Sequence, residues 1–333
     1  MPTLSSLPSA MQAIDVTSSQ QLQFVTLPLP DITDTEVLIK VQAAGVNRAD
    51  LAQRAGYYPP PPGESPILGL EVAGTVVACG KAVSADWLGA EVFGLVPGGG
   101  YAEYVKMPAT HLMRRPAAMT AESAAGCAEV FLTAYQAMFL LGELNAGQAV
   151  LLHAGASGVG TAAIQLAKAA GALVAVTAGS DEKTAACLNL GADFAVNYKT
   201  ADFAVVLKNA VPQGFQVIVD PVAADYLPKN LQLLGLDGRI VVLAMLGGRT
   251  VPAFDLTLMF KKRGQLLCST LRNRTDDYKT ELVTRFLVQF GDALAAGHIK
   301  PVIAKVLPWQ QADAAHQLLA GNQLTGKVVL TLR

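Results

Sequence analysis

The chain has 333 residues, 52% of them hydrophobic and 15% charged, and a formal net charge of −1. That length exceeds the size at which one hydrophobic core usually keeps growing, so two domains are expected. The near-balanced charge gives no electrostatic basis for a nucleic-acid or anionic-membrane partner, although a small positive pocket is compatible with it.

In chain order, the opening MPTLSSLPSA has no basic residue and no continuous apolar core, which predicts a cytoplasmic chain without a secretory signal. Up to about residue 120, short β-rich runs (EVLIKVQAAGV, EVAGTVVACG, AEYVKMP) alternate with turns at YYPPPPGESP and VPGGG, the pattern of a compact antiparallel domain. From about 122 to 271, AVLLHA leads to VGTAAIQLAKAAG, LVAVTA to EKTAACLNLG, FAVN to ADFAVVLKNA and VIVD to LPKNLQLLG, followed by RIVVLAM. That alternation predicts an α/β unit, a doubly wound parallel sheet with helices on both faces. Residues 144–167 carry no formal charge and have the length of a membrane span, but their glycines with Asn145, Gln148 and His153 argue against one. The final stretch holds an amphipathic helix, YKTELVTRFLVQFGDALAAG, and a terminal strand, GKVVLTLR. Cys79, Cys127, Cys187 and Cys268 lie far apart without a CxxC, and the histidines are scattered, so neither a disulfide framework nor a zinc knuckle is indicated. The cysteines read as small buried hydrophobes.

After the strand AVLLHA, Gly155, Gly158 and Gly160 stand at the entry to a helix. Absent side chains there let a pyrophosphate approach backbone N–H groups at the positive end of the helix. The spacing GxxGxG departs from the commoner GxGxxG, and a tight turn without a ligand is the alternative. About twenty residues on, where an NAD enzyme places an acid for the ribose hydroxyls, the text reads VTAGSDEK. Ser180 and Lys183 offer a hydroxyl and a cation to a 2′-phosphate, which favours NADPH. Asp181 is the contrary signal, and Lys183 also reads as a solvated lysine in a helix's first turn.

The segments AGVNRADLAQRAGYYPPPP, LGLEVAGTV, HAGASGVGTAAIQLAKAAGA and FKKRGQLLCSTLRNR resemble the zinc-free, zeta-crystallin-like quinone oxidoreductases of the medium-chain dehydrogenase/reductase superfamily, and the likeness runs from about Met11 to the end. The resemblance implies a β-rich GroES-like catalytic domain (1–124), a Rossmann NADPH-binding domain (125–271) and a C-terminal segment (272–333) that completes the first. It also implies a homodimer or homotetramer acting on a small-molecule quinone. Where zinc alcohol dehydrogenases carry their metal ligands, this chain has Asn47, Leu70 and Glu129, and the lobe of four close cysteines is missing. One carboxylate does not make a three-ligand metal site. A quinone is already a strong hydride acceptor, so positioning over a nicotinamide supplies much of the catalysis.

By resemblance, Asn47 and Tyr58 lie at the substrate end and Thr133 near the nicotinamide. Gly155, Ser157, Gly158, Val159 and Gly160 lie under the pyrophosphate, and Ser180, Lys183 and Tyr198 around the 2′-phosphate. Leu246, Gly247, Leu271 and Arg272 close over the cofactor, and Lys327 returns from the C-terminal segment. Without the resemblance, Tyr198 and Lys327 read as strand-flanking residues and Tyr58 as a ring packed on a proline-rich loop. Three functions follow: NADPH-dependent quinone reduction, reduction of an enone or 2-alkenal double bond, and a non-catalytic structural or RNA-binding role. The absence of a basic stripe weakens the RNA version. For enone reduction the sequence displays no obvious proton donor.

Overall fold

The computed structural model of the chain describes residues 7–251 and 254–332, so the first six residues of the opening stretch lie outside it. Contacts divide the chain into two compact units. One runs up to Glu129 and resumes at Arg272; the other is Val130–Leu271.

The first unit begins with β1 (Ala10–Val16) and β2 (Leu22–Pro28), an antiparallel ribbon. β3 (Glu36–Val46) is apolar along nearly its whole length and is buried on both faces, as a central strand must be. After it come α1 (Arg48–Arg54), β4 (Glu71–Cys79), β5 (Glu91–Leu95), β6 (Tyr104–Pro108), β7 (Met113–Arg114) and α2 (Ala121–Ala125). α3 (Ala128–Tyr135) then runs into a π-helical turn, Gln136–Leu141.

The second unit alternates β8 (Ala149–Leu152), α4 (Gly158–Ala169), β9 (Leu173–Ala178), α5 (Asp181–Asn189), β10 (Phe194–Asn197), α6 (Phe203–Ala210), β11 (Phe215–Asp220), α7 (Tyr226–Leu233), β12 (Leu234–Val242), α8 (Thr257–Lys262) and β13 (Gln265–Cys268). Its strands lie in the order β10-β9-β8-β11-β12-β13, all parallel. The chain reverses its direction of winding between β8 and β11, which makes the carboxyl ends of these strands the switch point where such sheets bind nucleotides. Leu151, Phe215, Ile218 and Ile240 from the strands pack with Phe203, Leu207 and Leu231 from the helices. β12 begins at Leu234 rather than Arg239, because Asp237 takes a left-handed φ of 58° and the register against β11 shifts there, accommodating the extra residues. The uncharged stretch 144–167 is β8 and most of α4, and no helix among the described residues is long and apolar enough to cross a membrane.

The chain returns to the first unit with α9 (Asp276–Ala295), β14 (Ile303–Pro308), α10 (Ala312–Ala320) and β15 (Lys327–Thr331). The sheet order is β14-β15-β3-β4-β5-β7, with β6 also paired to β3. One pair departs from the antiparallel expectation. β14 and β15 run parallel, and α10 supplies the crossover that a parallel pair requires. Cys127 and Cys187 are buried as expected and Cys79 is partly so, but Cys268 is exposed at the end of the edge strand β13.

Candidate cofactor-binding and active sites

In the second unit, β8 leaves the sheet through Ala154, whose φ is 54°, and the chain enters α4 at Ser157, whose Oγ accepts from the Gly160 N–H at 3.0 Å. Two of the three glycines are fixed by the fold itself. A Cβ on Gly155 would lie 2.7 Å from Val176 Cβ, and one on Gly160 would lie 2.5 Å from the Ala154 carbonyl oxygen. Ser157 is exposed, and Gly158 and Val159 are partly so, which leaves the first N–H groups of a twelve-residue helix accessible.

The next strand end, after β9, carries the residues expected around a 2′-phosphate. Ser180 caps α5 by accepting from the Lys183 N–H, while the Asp181 carboxylate is drawn aside to the Asn197 side-chain amide at 2.8 Å. Tyr198 continues β10 with its N–H on the Ala178 carbonyl, and its ring stands edge-on to Tyr226. A Cβ at Gly179 would lie 2.7 Å from the Tyr198 hydroxyl, so glycine is what lets that hydroxyl approach the Ser180 turn. The contacts of Gly179 and Asn197 were not legible in the sequence, where the signal was the small-residue run TAGS.

Leu246 and Gly247 are tied to the loop after β11 through N–H bonds to the Pro221 and Val222 carbonyls. Leu246 is exposed and Leu271 is buried. The hydroxyls of Thr133 and Ser269 are both buried without a hydrogen-bond partner, which suits a unit that takes a polar ligand. A buried chain missed by sequence reading links this unit's strands. Asn230 donates to Asp220, so its oxygen accepts from His153 Nε2 at 2.7 Å, and His153 Nδ1 meets the Thr177 hydroxyl at 2.9 Å. Burial holds the imidazole below its ordinary pKa, consistent with a neutral ring. Asp220 in turn accepts the Val222 and Ala223 N–H groups, fixing the loop that Gly247 packs against.

The first unit holds a buried cluster of charges. Lys327 directs its ammonium to Val46 O and Glu71 Oε1, both at 2.8 Å, and to Asn47 Oδ1. Asn47 also donates from Nδ2 to Glu71 Oε1 at 3.0 Å, so both ends of its amide are engaged within the protein. Glu71 Oε2 accepts the Glu129 N–H at 2.9 Å. Sequence reading set Asn47 with the substrate and Lys327 with the cofactor; the fold joins them directly to each other. Gly45 makes room, because a Cβ there would lie 2.2 Å from Glu71 Oε1. Nearby, Asp50 accepts the Asn47 and Gly69 N–H groups and the Tyr101 hydroxyl, and burial pushes its pKa to about 6.

Tyr58 is half-buried. Arg272 lies 5.5 Å from its ring centroid, donates from Nη1 to the Tyr58 carbonyl at 3.2 Å, and donates from Nε to the Pro97 carbonyl at 2.7 Å. Burial, and then the neighbouring Glu129, raise the Tyr58 phenol above its ordinary pKa. Burial and then the Glu71 charge push Glu129 up to about 8. Both groups therefore hold protons near neutrality. Sequence reading noticed Glu129 only as a vacated metal position, since nothing in the string shows that an adjacent buried glutamate keeps it protonated.

Residues 33–117 match the alcohol dehydrogenase GroES-like domain, and residues 158–287 match the zinc-binding dehydrogenase family. The chain is 32% identical over 313 residues to the quinone oxidoreductase of Mus musculus, covering 92% of each. It is likewise 32% identical over 309 residues to the synaptic vesicle membrane protein VAT-1 homolog of Rattus norvegicus, covering 89% of this chain and 76% of that one. The chain is a medium-chain dehydrogenase/reductase. A crystal structure of CurK enoyl reductase superposes with a TM-score of 0.84 at 26% identity, covering 97% of this chain and 99% of that one. The superfamily's GroES-like and Rossmann architecture is what the two units display, and its members bind a nicotinamide cofactor.

Zinc does not fit the residues present. Of the three positions that hold ligands in zinc alcohol dehydrogenases, Asn47 turns its oxygen to an ammonium, Leu70 is apolar and buried, and Glu129 stands alone. Among the described residues no group of three His, Cys, Asp or Glu side chains is placed to hold a metal ion.

Proposed function

We propose that the protein reduces quinones by hydride transfer from NADPH without a metal ion. The observation that carries this reading is the Asn47–Lys327–Glu71 cluster: an ammonium bonded to the amide oxygen at the first ligand position occupies the place where a Lewis-acid metal would be held. An alcohol substrate needs that acid, whereas a quinone does not. NADPH, when bound, supplies the hydride. The open turn at Ser157–Val159 holds its pyrophosphate, and Ser180, Lys183 and Tyr198 receive its 2′-phosphate, with Asp181 turned away to Asn197. In the first unit the Tyr58 phenol orients the acceptor oxygen.

Reduction of an activated carbon–carbon double bond is the second reading, favoured by one observation. Glu129 retains a proton near neutrality and is a candidate to protonate carbon. Initial rates with NADPH and NADH, each against one quinone and one enone, separate the readings. NADPH with the quinone is expected to give the highest kcat/KM, and faster turnover of the enone would install the second reading. The preference for NADPH depends on Lys183: Lys183→Glu is expected to lose about 1.5–3 kcal/mol of NADPH affinity relative to NADH, the worth of a charge-assisted hydrogen bond. Equal affinities in the unmodified protein would refute the assignment.

A further inference from the structure

Arg272 is unusual among the buried cations of the first unit. The residue is 7% exposed, and Nε and Nη1 are fixed on the carbonyls of Pro97 and Tyr58. Nη2, also buried, has no hydrogen-bond partner. Among the described residues no carboxylate lies within ion-pair distance of this guanidinium. The contrast with Arg115 is instructive. That side chain also has one orphaned nitrogen, Nε, but Glu91 neutralises it at 2.7 Å. Lys327 is neutralised by Glu71. A second buried cation, Lys279 on the first turn of α9, adds to the positive field at Arg272; of the carboxyls that act on Arg272 through space, Asp50, Glu129 and Glu64, none is bonded to it, and Glu129 is held largely protonated. A rigid, permanently charged donor with a buried N–H edge that makes no hydrogen bond within the protein is suited to an electron-rich oxygen.

We propose that Arg272 Nη2 binds the acceptor oxygen that gains negative charge as the hydride arrives, beside the Tyr58 hydroxyl. This rests on the quinone-reductase reading and names the group that stabilises the charge developing on the acceptor. Bound NADPH would supply a hydride, its C–H bond breaking with the electron pair to leave NADP⁺; the quinone would take up that hydride as a hydroquinone monoanion, and a proton from water would complete the hydroquinone. Arg272 donates to the anionic oxygen throughout and gives up no proton, since its guanidinium stays charged. Sequence resemblance set Arg272 over the cofactor instead. Its three anchors, the Pro97 carbonyl, the Tyr58 carbonyl and the Tyr58 ring, all belong to the unit that carries the acceptor-side residues.

The test uses the full chain and two variants, Arg272→Lys and Arg272→Met, with NADPH affinity measured by fluorescence and kcat/KM measured for a quinone. Loss of a hydrogen-bond donor to a developing oxyanion is expected to lower kcat/KM by about 10²- to 10³-fold, with NADPH affinity little changed. An equal loss of NADPH affinity would move Arg272 to the cofactor, and no change in either would show that Nη2 has no ligand; both overturn the proposal. A second readout needs neither turnover nor a folded variant. 4-Nitrophenol, whose ionised form is coloured, is expected to ionise at lower pH when bound to the unmodified protein. Binding with no downward shift overturns the oxyanion site, and so does absence of binding. This readout separates failure of the site from failure of the quinone-reductase reading.

Discussion

Lys327 is buried, and its ammonium meets Val46, Asn47 and Glu71. Removing it leaves Glu71 as an unpaired charge at 0% exposure, so Lys327→Met is expected to destabilise the protein by about 3–5 kcal/mol in urea denaturation. A change below about 1 kcal/mol would show that the pair is already screened as a surface pair is. Glu129 gives the opposite sign of effect. Its folded pKa of about 8 stands above the ordinary 4.5, so the folded state holds a proton that the unfolded chain releases. The stability this contributes is complete below about pH 4.5 and is lost as pH rises through about 8. Glu129→Gln abolishes that loss. With a discount for the partial exposure of Glu129, the variant is expected to exceed the unmodified protein by about 1–3 kcal/mol above pH 8, and pH curves that run parallel would count against the assignment. Residue identity alone showed that Asn47 and Leu70 replace metal ligands. It did not show that Lys327 reaches Asn47 across 280 positions, because that contact exists only once β15 pairs with β3.

At the scale of elements, β8, α4 and the turn between them were legible because an apolar run, a glycine turn and a run of small residues agree on one strand–turn–helix. The division of labour among the three glycines was not legible. Gly155 and Gly160 serve the packing of the turn on β9 and on itself, as their sub-3 Å Cβ contacts show. Gly158, at the first helical position and partly exposed, is the one proposed to lie against the pyrophosphate. Gly158→Val is therefore expected to abolish cofactor binding with the circular dichroism spectrum unchanged, whereas Gly160→Ala is expected to cost stability, about 1–3 kcal/mol of overpacking. If the folded Gly158→Val protein binds NADPH as before, the pyrophosphate does not lie on this helix. The parallel β14–β15 pair escaped the sequence reading because each strand is short, and nothing local distinguishes a parallel edge from an antiparallel one.

At the scale of the whole molecule, the chain was readable as two architectures because the hydrophobic rhythm changes from short β runs to strand–helix alternation and back. The boundary itself follows contacts rather than rhythm: α3 starts at Ala128, and the two units part after Glu129. The same family architecture is shared by relatives named for quinone reduction, for enoyl reduction and for a synaptic vesicle membrane, so function rests on the sites rather than on the fold. The central claim is that hydride transfer to a quinone proceeds here without a metal, the Asn47–Lys327–Glu71 cluster filling the position where one would be held. The most direct measurement is the initial rate of NADPH oxidation with a quinone after exhaustive EDTA dialysis, with the zinc content determined on the same sample. Undiminished turnover with substoichiometric zinc is the predicted result; turnover lost on dialysis and restored by one zinc per chain would contradict it.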